Sequence, residues 1–315
     1  MELKIFFLGS GCSTPTKTRN LTSIALQYCG RVFLFDCAEG TQQQMMRANV
    51  SYMKINSILF SHFHADHFLG LPGLLATMTM YERDMPLNIY GPRGVENKVD
   101  LAIKIANIKP SFRINTFELK KGPVIKGENF TIGAFTVKHN TLCFGFFFKE
   151  DDKIAEFDRE KALSLGVPEG PLFAKLQRGD SVKIGSKVIK PEDVLDYSKG
   201  RKGRKIGIVL DTRPHSSYID YIAESDILIH EAVFASIDMD RALETAHSTV
   251  VEVAELAKKA KCKKLYLTHF STRYENLDSL LQEAREIFPE TYVGKDLLTV
   301  EVPLNPKEQI VKRVV

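Results

Sequence analysis

The sequence predicts an α/β protein whose β-sheets are covered by helices. Two observations lead to this class. Short runs of β-branched and aromatic residues recur along the chain, as they do in strands, and segments with apolar residues at helical spacing lie between them. A hydrophobic content of 44% and a charged content of 26% in 315 residues are those of an ordinary globular protein.

The individual elements follow from these two patterns. We expect strands at residues 4–8, 24–27, 32–35, 58–60, 87–90, 130–138, 144–149, 205–210, 226–229, 264–267 and 297–302. We expect helices at residues 69–81, 95–106, 249–261 and 277–288. The third helix begins with Thr249 and Glu252 at the spacing of a capping box, and the fourth carries its apolar residues on one stripe.

One segment has a different composition from the rest of the chain. Residues 150–203 are rich in Gly, Pro, Asp and Lys, and they include the turn-forming stretch 166–171. We therefore predict one domain over residues 1–315, with residues 150–203 inserted as a flexible arm. Cations crowd the short segment 183–205 and suit a polyanionic partner, although a solvated charged loop explains them about as well. They are Lys183, Lys187, Lys190, Lys199, Arg201, Lys202, Arg204 and Lys205.

The bulk properties favour the cytoplasm. The apolar stretches are too short to span a bilayer, and the N-terminal run resembles a first strand more than a signal peptide. The five cysteines are scattered and form no C-x-x-C pair, which disfavours a disulfide framework or a cysteine-based zinc site. The net charge of +4 is too small to indicate a partner by itself.

The strongest chemical signal is a cluster of histidine and aspartate directly after the apolar strand at 58–60. His62 and His64 are two residues apart, so in extended backbone their side chains share one face. Asp66 and His67 follow in the turn. Three imidazoles and a carboxylate this close together suit a pair of adjacent first-row metal ions.

Three further ligand candidates, His139, Asp211 and His269, each come just after a predicted strand. Taken singly, such a residue is more often a capping or surface residue. Loops at the ends of strands gather into sites, however, and the chain has only eight histidines. Together with the first cluster, these three residues therefore favour a metal centre.

This arrangement resembles the short form of ribonuclease Z, a family of tRNA 3′-processing endoribonucleases in the metallo-β-lactamase superfamily. The resemblance covers nearly the whole chain and rests on motifs at 8–20, 35–42, 62–67, 211–214, 229–232, 246–249 and 267–274. The H-x-H-x-D-H motif is shared with many hydrolases, whereas the motifs at 246–249 and 267–274 are much more specific. The resemblance implies an αββα sandwich of two mixed β-sheets flanked by helices, with a protruding exosite arm.

The resemblance also implies two Zn²⁺ ions per subunit. His62, His64 and His139 would bind the first ion, Asp66, His67 and His269 would bind the second, and Asp211 would bridge both. Mn²⁺ and Fe²⁺ are alternatives, because histidine and carboxylate ligands accept them as well. Asp36 is expected to orient a ligand from outside the first coordination shell.

The implied reaction is removal of the 3′ trailer from precursor tRNA by a cut after the discriminator nucleotide. The products would be a tRNA 3′-hydroxyl and a trailer with a 5′-phosphate. Asp66 would act as a general base or orient the water, and His247 would orient Asp66 or protonate the leaving oxygen. Substrate contacts are expected from Lys17, Arg19, Asn20, Ser248, Thr249 and Arg273, and from Gly166, Pro168, Gly170 and Pro171 in the arm.

The expected partners follow from the same resemblance. The arm would grip the elbow of tRNA through its shape and phosphates, and a homodimer would place the arm of one subunit at the site of the other. Neither a membrane nor DNA is an expected partner. The alternatives are an exoribonuclease or small-ester phosphodiesterase of the same fold, and a non-catalytic RNA-binding module with a structural metal.

Overall fold

The computed structural model describes residues 2–304, so residue 1 and residues 305–315 of the predicted domain lie outside the described residues. The described chain divides into two compact units. The large unit contains residues 2–149 and 205–303, and the small unit contains residues 150–204 with Leu304. No helix among the described residues is long and apolar enough to cross a membrane.

Two seven-stranded sheets form the large unit. The first has the strand order β18-β1-β2-β3-β4-β5-β6, with the strands β1 Leu3–Gly9, β2 Ser23–Tyr28, β3 Arg31–Phe35, β4 Ile55–Leu59, β5 Leu87–Gly91, β6 Ile114–Glu118 and β18 Thr299–Glu301. The second has the order β17-β16-β15-β14-β9-β8-β7, with β7 Gly122–Lys126, β8 Phe130–Val137, β9 Cys143–Glu150, β14 Lys205–Val209, β15 Ile227–Glu231, β16 Leu265–Thr268 and β17 Thr291–Val293.

Both sheets are mixed. In the first, β18, β1, β2 and β3 pair antiparallel, and β3 to β6 pair parallel. In the second, β14 to β17 are parallel and β9 pairs antiparallel with β14. The central parallel strands are buried on both faces, and β15 is buried at every residue. This is why they appear in the sequence as continuous apolar runs.

Helices cover the outer face of each sheet. They are α1 Thr41–Arg47, α2 Ala65–Phe68, α3 Leu71–Met80, α4 Val95–Ala106, α8 Ile219–Ile222, α9 Met239–Thr245, α10 Val250–Lys259 and α11 Asp278–Ile287. One apolar cluster lies between the sheets, where the rings of Phe35 and Phe146 are 5.3 Å apart. A second packs α1, α3 and α4 on the first sheet, and a third packs α8, α10 and α11 on the second. The predicted αββα sandwich is therefore confirmed.

The predicted elements are present, with shifted ends. The helix predicted at 95–106 has those bounds, and α10 begins after Thr249, whose side chain forms the expected capping box with Glu252. Three strands of the sheets, β6, β7 and β17, were not predicted. Each lies at the edge of its sheet and is only partly buried, so its sequence carries a weak apolar signal.

The small unit has more regular structure than its composition predicted. It contains β10 Glu156–Phe157, α5 Arg159–Ser164, α6 Pro171–Arg178, β11 Val182–Ile184, β12 Lys187–Ile189, α7 Pro191–Val194 and β13 Leu195–Asp196. Six buried apolar residues form its own core: Ala162, Val167, Leu176, Val182, Ile189 and Val194. The unit ends one residue later than predicted, at Arg204, whose buried guanidinium donates to the Glu150 carboxylate.

Candidate metal centre and catalytic residues

The predicted ligands lie just beyond the ends of strands from both sheets. His62, His64, Asp66 and His67 follow β4 and run into the short helix α2. His139 follows β8, Asp211 follows β14, and His269 directly follows β16. Since the parallel strands β4, β14 and β16 carry these residues at their carboxyl ends, the residues gather at one edge of the sandwich.

The structure brings these residues into two groups. Ligand atoms of His62, His64, His139 and Asp211 lie within 4.8 Å of one another, as do those of Asp66, His67 and His269. Asp211 faces both groups: its Oδ2 is 3.6 Å from His62 Nε2 and 3.8 Å from His139 Nε2. Its Oδ1 is 3.2 Å from the Nε2 atoms of His67 and His269. The two oxygens of the Asp211 carboxylate therefore face different ligand groups.

The donor atoms fit divalent metal ions. The Nε2 atoms of His62, His67, His139 and His269 are buried and have no hydrogen-bond partner within residues 2–304. Their Nδ1 atoms, in contrast, contact Ser61 Oγ, Asp36 Oδ2, the Ala246 carbonyl and Thr22 Oγ1 at 2.6–3.1 Å. A ring held at one nitrogen with the other left free is the usual state of a metal-binding histidine. The buried, unpaired nitrogens would be costly without such a use.

Asp36 holds two histidines that follow the first sheet, His62 and His67, in position beside the centre. Its carboxylate contacts His67 Nδ1 at 2.6 Å and accepts hydrogen bonds from the backbone N–H and hydroxyl of Ser61, both at 2.7 Å. Ser61 in turn contacts His62 Nδ1. Asp36 thus orients two ligand candidates without reaching the centre itself, as expected.

Burial and neighbouring charges shift the pKa values of the ligand candidates in different directions. Burial would lower the pKa of His67, but Asp211 and Asp36 raise it well above its usual value. Burial lowers the pKa of His62 to about 2 and that of His269 to about 4, so both imidazoles are neutral at physiological pH. Burial alone would raise the pKa of Asp211, but His269, His67 and His62 hold it well below its usual value. Asp211 is therefore a carboxylate.

Asp66 is one of the ligand candidates that are only partly buried, as is His64, and 14% of its side chain is exposed. Its Oδ2 accepts a hydrogen bond from the backbone N–H of Ser13 at 2.8 Å and lies 3.6 Å from His67 Nε2. Burial raises its pKa, but His67 and His269 lower it more, and the net shift is downward. Asp66 is thus a charged group at the opening of the centre.

His247 lies beside both ligand groups. Its ring centroid is 5.1 Å from that of His139 and 5.7 Å from that of His269. Its Nδ1 contacts Glu231 Oε1 at 3.0 Å. Burial would lower the pKa of His247, but the charge and hydrogen bond of Glu231 raise it to about 9. His247 therefore carries a proton at neutral pH and can serve as an acid.

Glu231 contacts His247 and was not among the site residues predicted from the sequence. Its fully buried carboxylate accepts hydrogen bonds from the backbone N–H groups of Thr212, Val233 and Ser248, and it contacts His247. A glutamate at the end of the apolar strand β15 was the available signal, since a buried charge requires a partner. That partner is 16 residues away, so the sequence alone does not reveal it.

Ser248 and Thr249 differ from their predicted role in substrate binding. Both side chains are fully buried. The Ser248 hydroxyl donates to the Thr212 carbonyl at 2.7 Å, and the Thr249 hydroxyl caps α10 through Glu252. Both hydroxyls are thus engaged within the protein, and the two residues follow His247 at the start of α10.

The other predicted substrate residues have varied surroundings. Lys17 is exposed, and Asn20 donates to the Glu39 carbonyl at 2.9 Å. Arg19 is buried and donates to the carbonyl oxygens of Ser271 and Tyr274, so it joins two loops. Arg273 is half-exposed and paired with Asp238. In the small unit, Gly166, Pro168, Gly170 and Pro171 are exposed in the connection from α5 to the start of α6.

Known proteins share both the fold and the sequence. The crystal structure of human tRNase Z, short form, matches with a TM-score of 0.69 and 27% identity over 96% of this chain and all of that one. YhfI from Bacillus subtilis, a metallo-β-lactamase fold protein, matches with a TM-score of 0.67 at 19% identity over 96% of this chain and 99% of its own. A family model described as Anti-Pycsar protein Apyc1 matches residues 3–156, less than half of the chain.

The two sheets and the histidine- and aspartate-lined centre thus define a metallo-β-lactamase-fold protein with a divalent-metal site. Ribonuclease Z of Methanosarcina acetivorans is 43% identical over 97% of this chain and 100% of that protein. Ribonuclease Z of Myxococcus xanthus is 39% identical over 96% of this chain and 99% of that protein. The chain belongs to the ribonuclease Z family.

Proposed function

We propose that this chain is a metal-dependent endoribonuclease that removes the 3′ trailer from precursor tRNA, cutting after the discriminator nucleotide. Full-length similarity to ribonuclease Z supports the proposal. The observation that carries it is the position of His247, an acid held by Glu231, beside two groups of metal ligands. This arrangement suits a phosphodiester whose leaving oxygen needs a proton.

Two Zn²⁺ ions per subunit are part of the proposal. His62, His64 and His139 would hold one ion, Asp66, His67 and His269 the other, and Asp211 both. When bound, such ions stabilise the charge on the phosphate and supply a nucleophile at neutral pH. Mn²⁺ or Fe²⁺ would be held by the same donors.

The chain's own residues would complete the reaction. Asp66, fixed by the Ser13 N–H, orients the attacking water and accepts its proton. Glu231 holds His247 through Nδ1, so Nε2 carries the proton that passes to the departing 3′-oxygen. The bond between phosphorus and this oxygen breaks as the new bond to the water oxygen forms. The products are a tRNA 3′-hydroxyl and a trailer with a 5′-phosphate.

The small unit is the proposed site for the body of tRNA. Lys183, Lys187, Lys190, Lys199 and Lys202 are exposed on it and suit contact with phosphates. Arg204 was among the cations predicted to contact a polyanion, but it is buried and paired with Glu150, so we do not include it among the phosphate contacts. Gly166, Pro168, Gly170 and Pro171 would add contacts by shape. A homodimer, in which the small unit of one subunit serves the site of the other, and a cytoplasmic location complete the proposal.

Cleavage of an end-labelled precursor tRNA tests the proposal. A single cut beside the discriminator nucleotide, abolished by a chelator and restored by added metal, is the expected result. Asp66→Ala should abolish the cut, whereas Asp100→Ala, which changes an exposed carboxylate on α4, should not. Metal-dependent hydrolysis of a small phosphodiester without any cut in tRNA would refute the proposed substrate. Elemental analysis and sedimentation test the metal content and the dimer.

A further inference from the structure

The loop between β1 and β2, residues 10–22, forms one wall of the metal centre. The Ser13 N–H donates to Asp66 Oδ2 at 2.8 Å, and Thr22 Oγ1 lies 2.8 Å from His269 Nδ1. The Cys12 N–H donates to the carbonyl of Phe270, the residue after His269. The path of this loop therefore decides where two residues of the second ligand group are held.

The neck of this loop is closed by backbone hydrogen bonds. The N–H groups of Ser10 and Gly11 donate to the carbonyl of Asn20 at 3.1 Å and 2.8 Å. Residues 12–19 lie between these contacts, and they include exposed Lys17. A loop closed at its neck presents its tip in a definite position.

One distant carboxylate reinforces this neck from outside. Asp296 lies between β17 and β18, near the end of the described chain. Its Oδ1 accepts a hydrogen bond from Ser10 Oγ at 2.7 Å, and its Oδ2 accepts one from the Asn20 N–H at 2.7 Å. Gln44 Nε2 from α1 also donates to Oδ2, at 2.9 Å. A single carboxylate thus binds both sides of the neck.

Charge makes this carboxylate hard to replace. Hydrogen bonds to an ionised acceptor are stronger than bonds between neutral groups. An asparagine at position 296 would keep one acceptor oxygen but turn an NH₂ group, itself a donor, towards groups that donate. The isosteric change Asp296→Asn therefore weakens the contacts of residue 296 with Ser10 and Asn20 without removing volume, and we expect it to loosen the neck.

We propose that Asp296 is a positioning residue that fixes the loop at 10–20 and thereby sets which phosphodiester bond reaches the metal centre. Asp296 acts on Asp66 through Ser13. It also fixes the position of Lys17 at the tip of the loop, which faces solvent and suits an RNA phosphate. The inference rests on the proposed function. A shift of about 1 Å in a positioning element lowers the rate by up to about a hundredfold.

The test compares Asp296→Asn with Glu301→Gln, which changes an exposed carboxylate on β18 of the same segment. Cut positions on end-labelled precursor tRNA are mapped at nucleotide resolution. We expect kcat/KM of Asp296→Asn to fall about ten- to a hundredfold and cuts to spread to neighbouring bonds. The control should cut like the wild type. Ser10→Ala removes one contact of the same carboxylate and should shift the cuts in the same direction, which covers the case that Asp296→Asn does not fold.

A purely structural role predicts a different result. It would lower the amount of folded enzyme, seen in thermal unfolding, but leave the cut at the wild-type bond, and this outcome overturns the inference. Hydrogen–deuterium exchange of residues 10–20 measures how firmly the neck is closed, without any substrate. Exchange that is as slow in Asp296→Asn as in Glu301→Gln also overturns the inference. Failure of the wild type to cut precursor tRNA refutes the proposed function instead, and the exchange result still decides whether Asp296 holds the loop.

Discussion

The contact between Glu231 and His247 permits a quantitative prediction for Glu231→Gln. Burial would lower the pKa of His247, but Glu231 raises it from 6.5 to about 9, a difference that corresponds to roughly 3 kcal/mol. His247 acts as an acid only when protonated, so activity falls as the pH rises through this pKa. Without Glu231, burial leaves the pKa of His247 at 6.5 or below, so at most about 3% of His247 is protonated at pH 8 instead of about 90%, and the rate on precursor tRNA at that pH should fall at least about thirtyfold.

The assay is the pH dependence of kcat for precursor tRNA and for a small phosphodiester with a nitrophenol leaving group. Nitrophenolate departs without a proton, so its release should be much less sensitive to the variant. Bound metal cations would lower the pKa of His247 in both proteins, and the test is therefore the difference between them. If the rate on precursor tRNA declines at the same high pH in the wild type and in Glu231→Gln, the role of Glu231 is refuted.

A loss of fold must be separated from this effect. Glu231 also accepts the N–H groups of Thr212 and Ser248, and an unmatched buried donor costs about 1–3 kcal/mol. The thermal unfolding curve of Glu231→Gln shows the temperature at which the variant begins to unfold, and the rates are compared below that temperature. A smaller folded fraction lowers the rate at every pH and does not shift the pH at which the rate begins to fall.

Three further changes test other parts of the structure. Asp36→Asn weakens the hold on His67 Nδ1 and should lower metal affinity about ten- to a hundredfold, measured by competition with a chelator; unchanged affinity would contradict the role of Asp36. Thr249→Ala removes the cap of α10 and should lower the free energy of unfolding by about 1 kcal/mol in urea titrations, whereas exposed Thr299→Ala should not. Replacing residues 151–203 with a short linker is feasible because the flanking residues are joined by a backbone hydrogen bond of 2.9 Å. This deletion should raise KM for precursor tRNA about tenfold or more, since phosphate contacts supply affinity, and should spare the small phosphodiester; equal losses on both substrates would count against a tRNA-binding role.

Burial explains which elements the sequence predicts. The central strands, such as β15, are buried throughout and appear as apolar runs, and α10 shows both its cap and its apolar face. The edge strands β6, β7 and β17 are partly exposed, so their composition resembles that of loops. The small unit was predicted as a flexible arm because its core needs only six buried residues, which are spread over five elements and one connecting segment.

The same reasoning applies to the site. The ligand candidates were predicted because four of them are close together in sequence and the rest follow strands. Glu231 and Asp296 act on groups that are distant in sequence, His247 and Asn20, and only the folded chain brings these pairs together. For Ser248 and Thr249, the sequence indicates a helix start but not the direction in which the hydroxyls point.

The distribution of ligands over two sheets has a consequence for the abundance of the protein. His62, His64, Asp66 and His67 belong to the first sheet, whereas His139, Asp211 and His269 belong to the second. A bound ion would therefore connect the two sheets of the sandwich, because its ligands come from both. Free metal at a thousand times its Kd adds about 4 kcal/mol to the free energy of unfolding. Metal supply would thus govern how many copies survive proteolysis as well as how fast each one works.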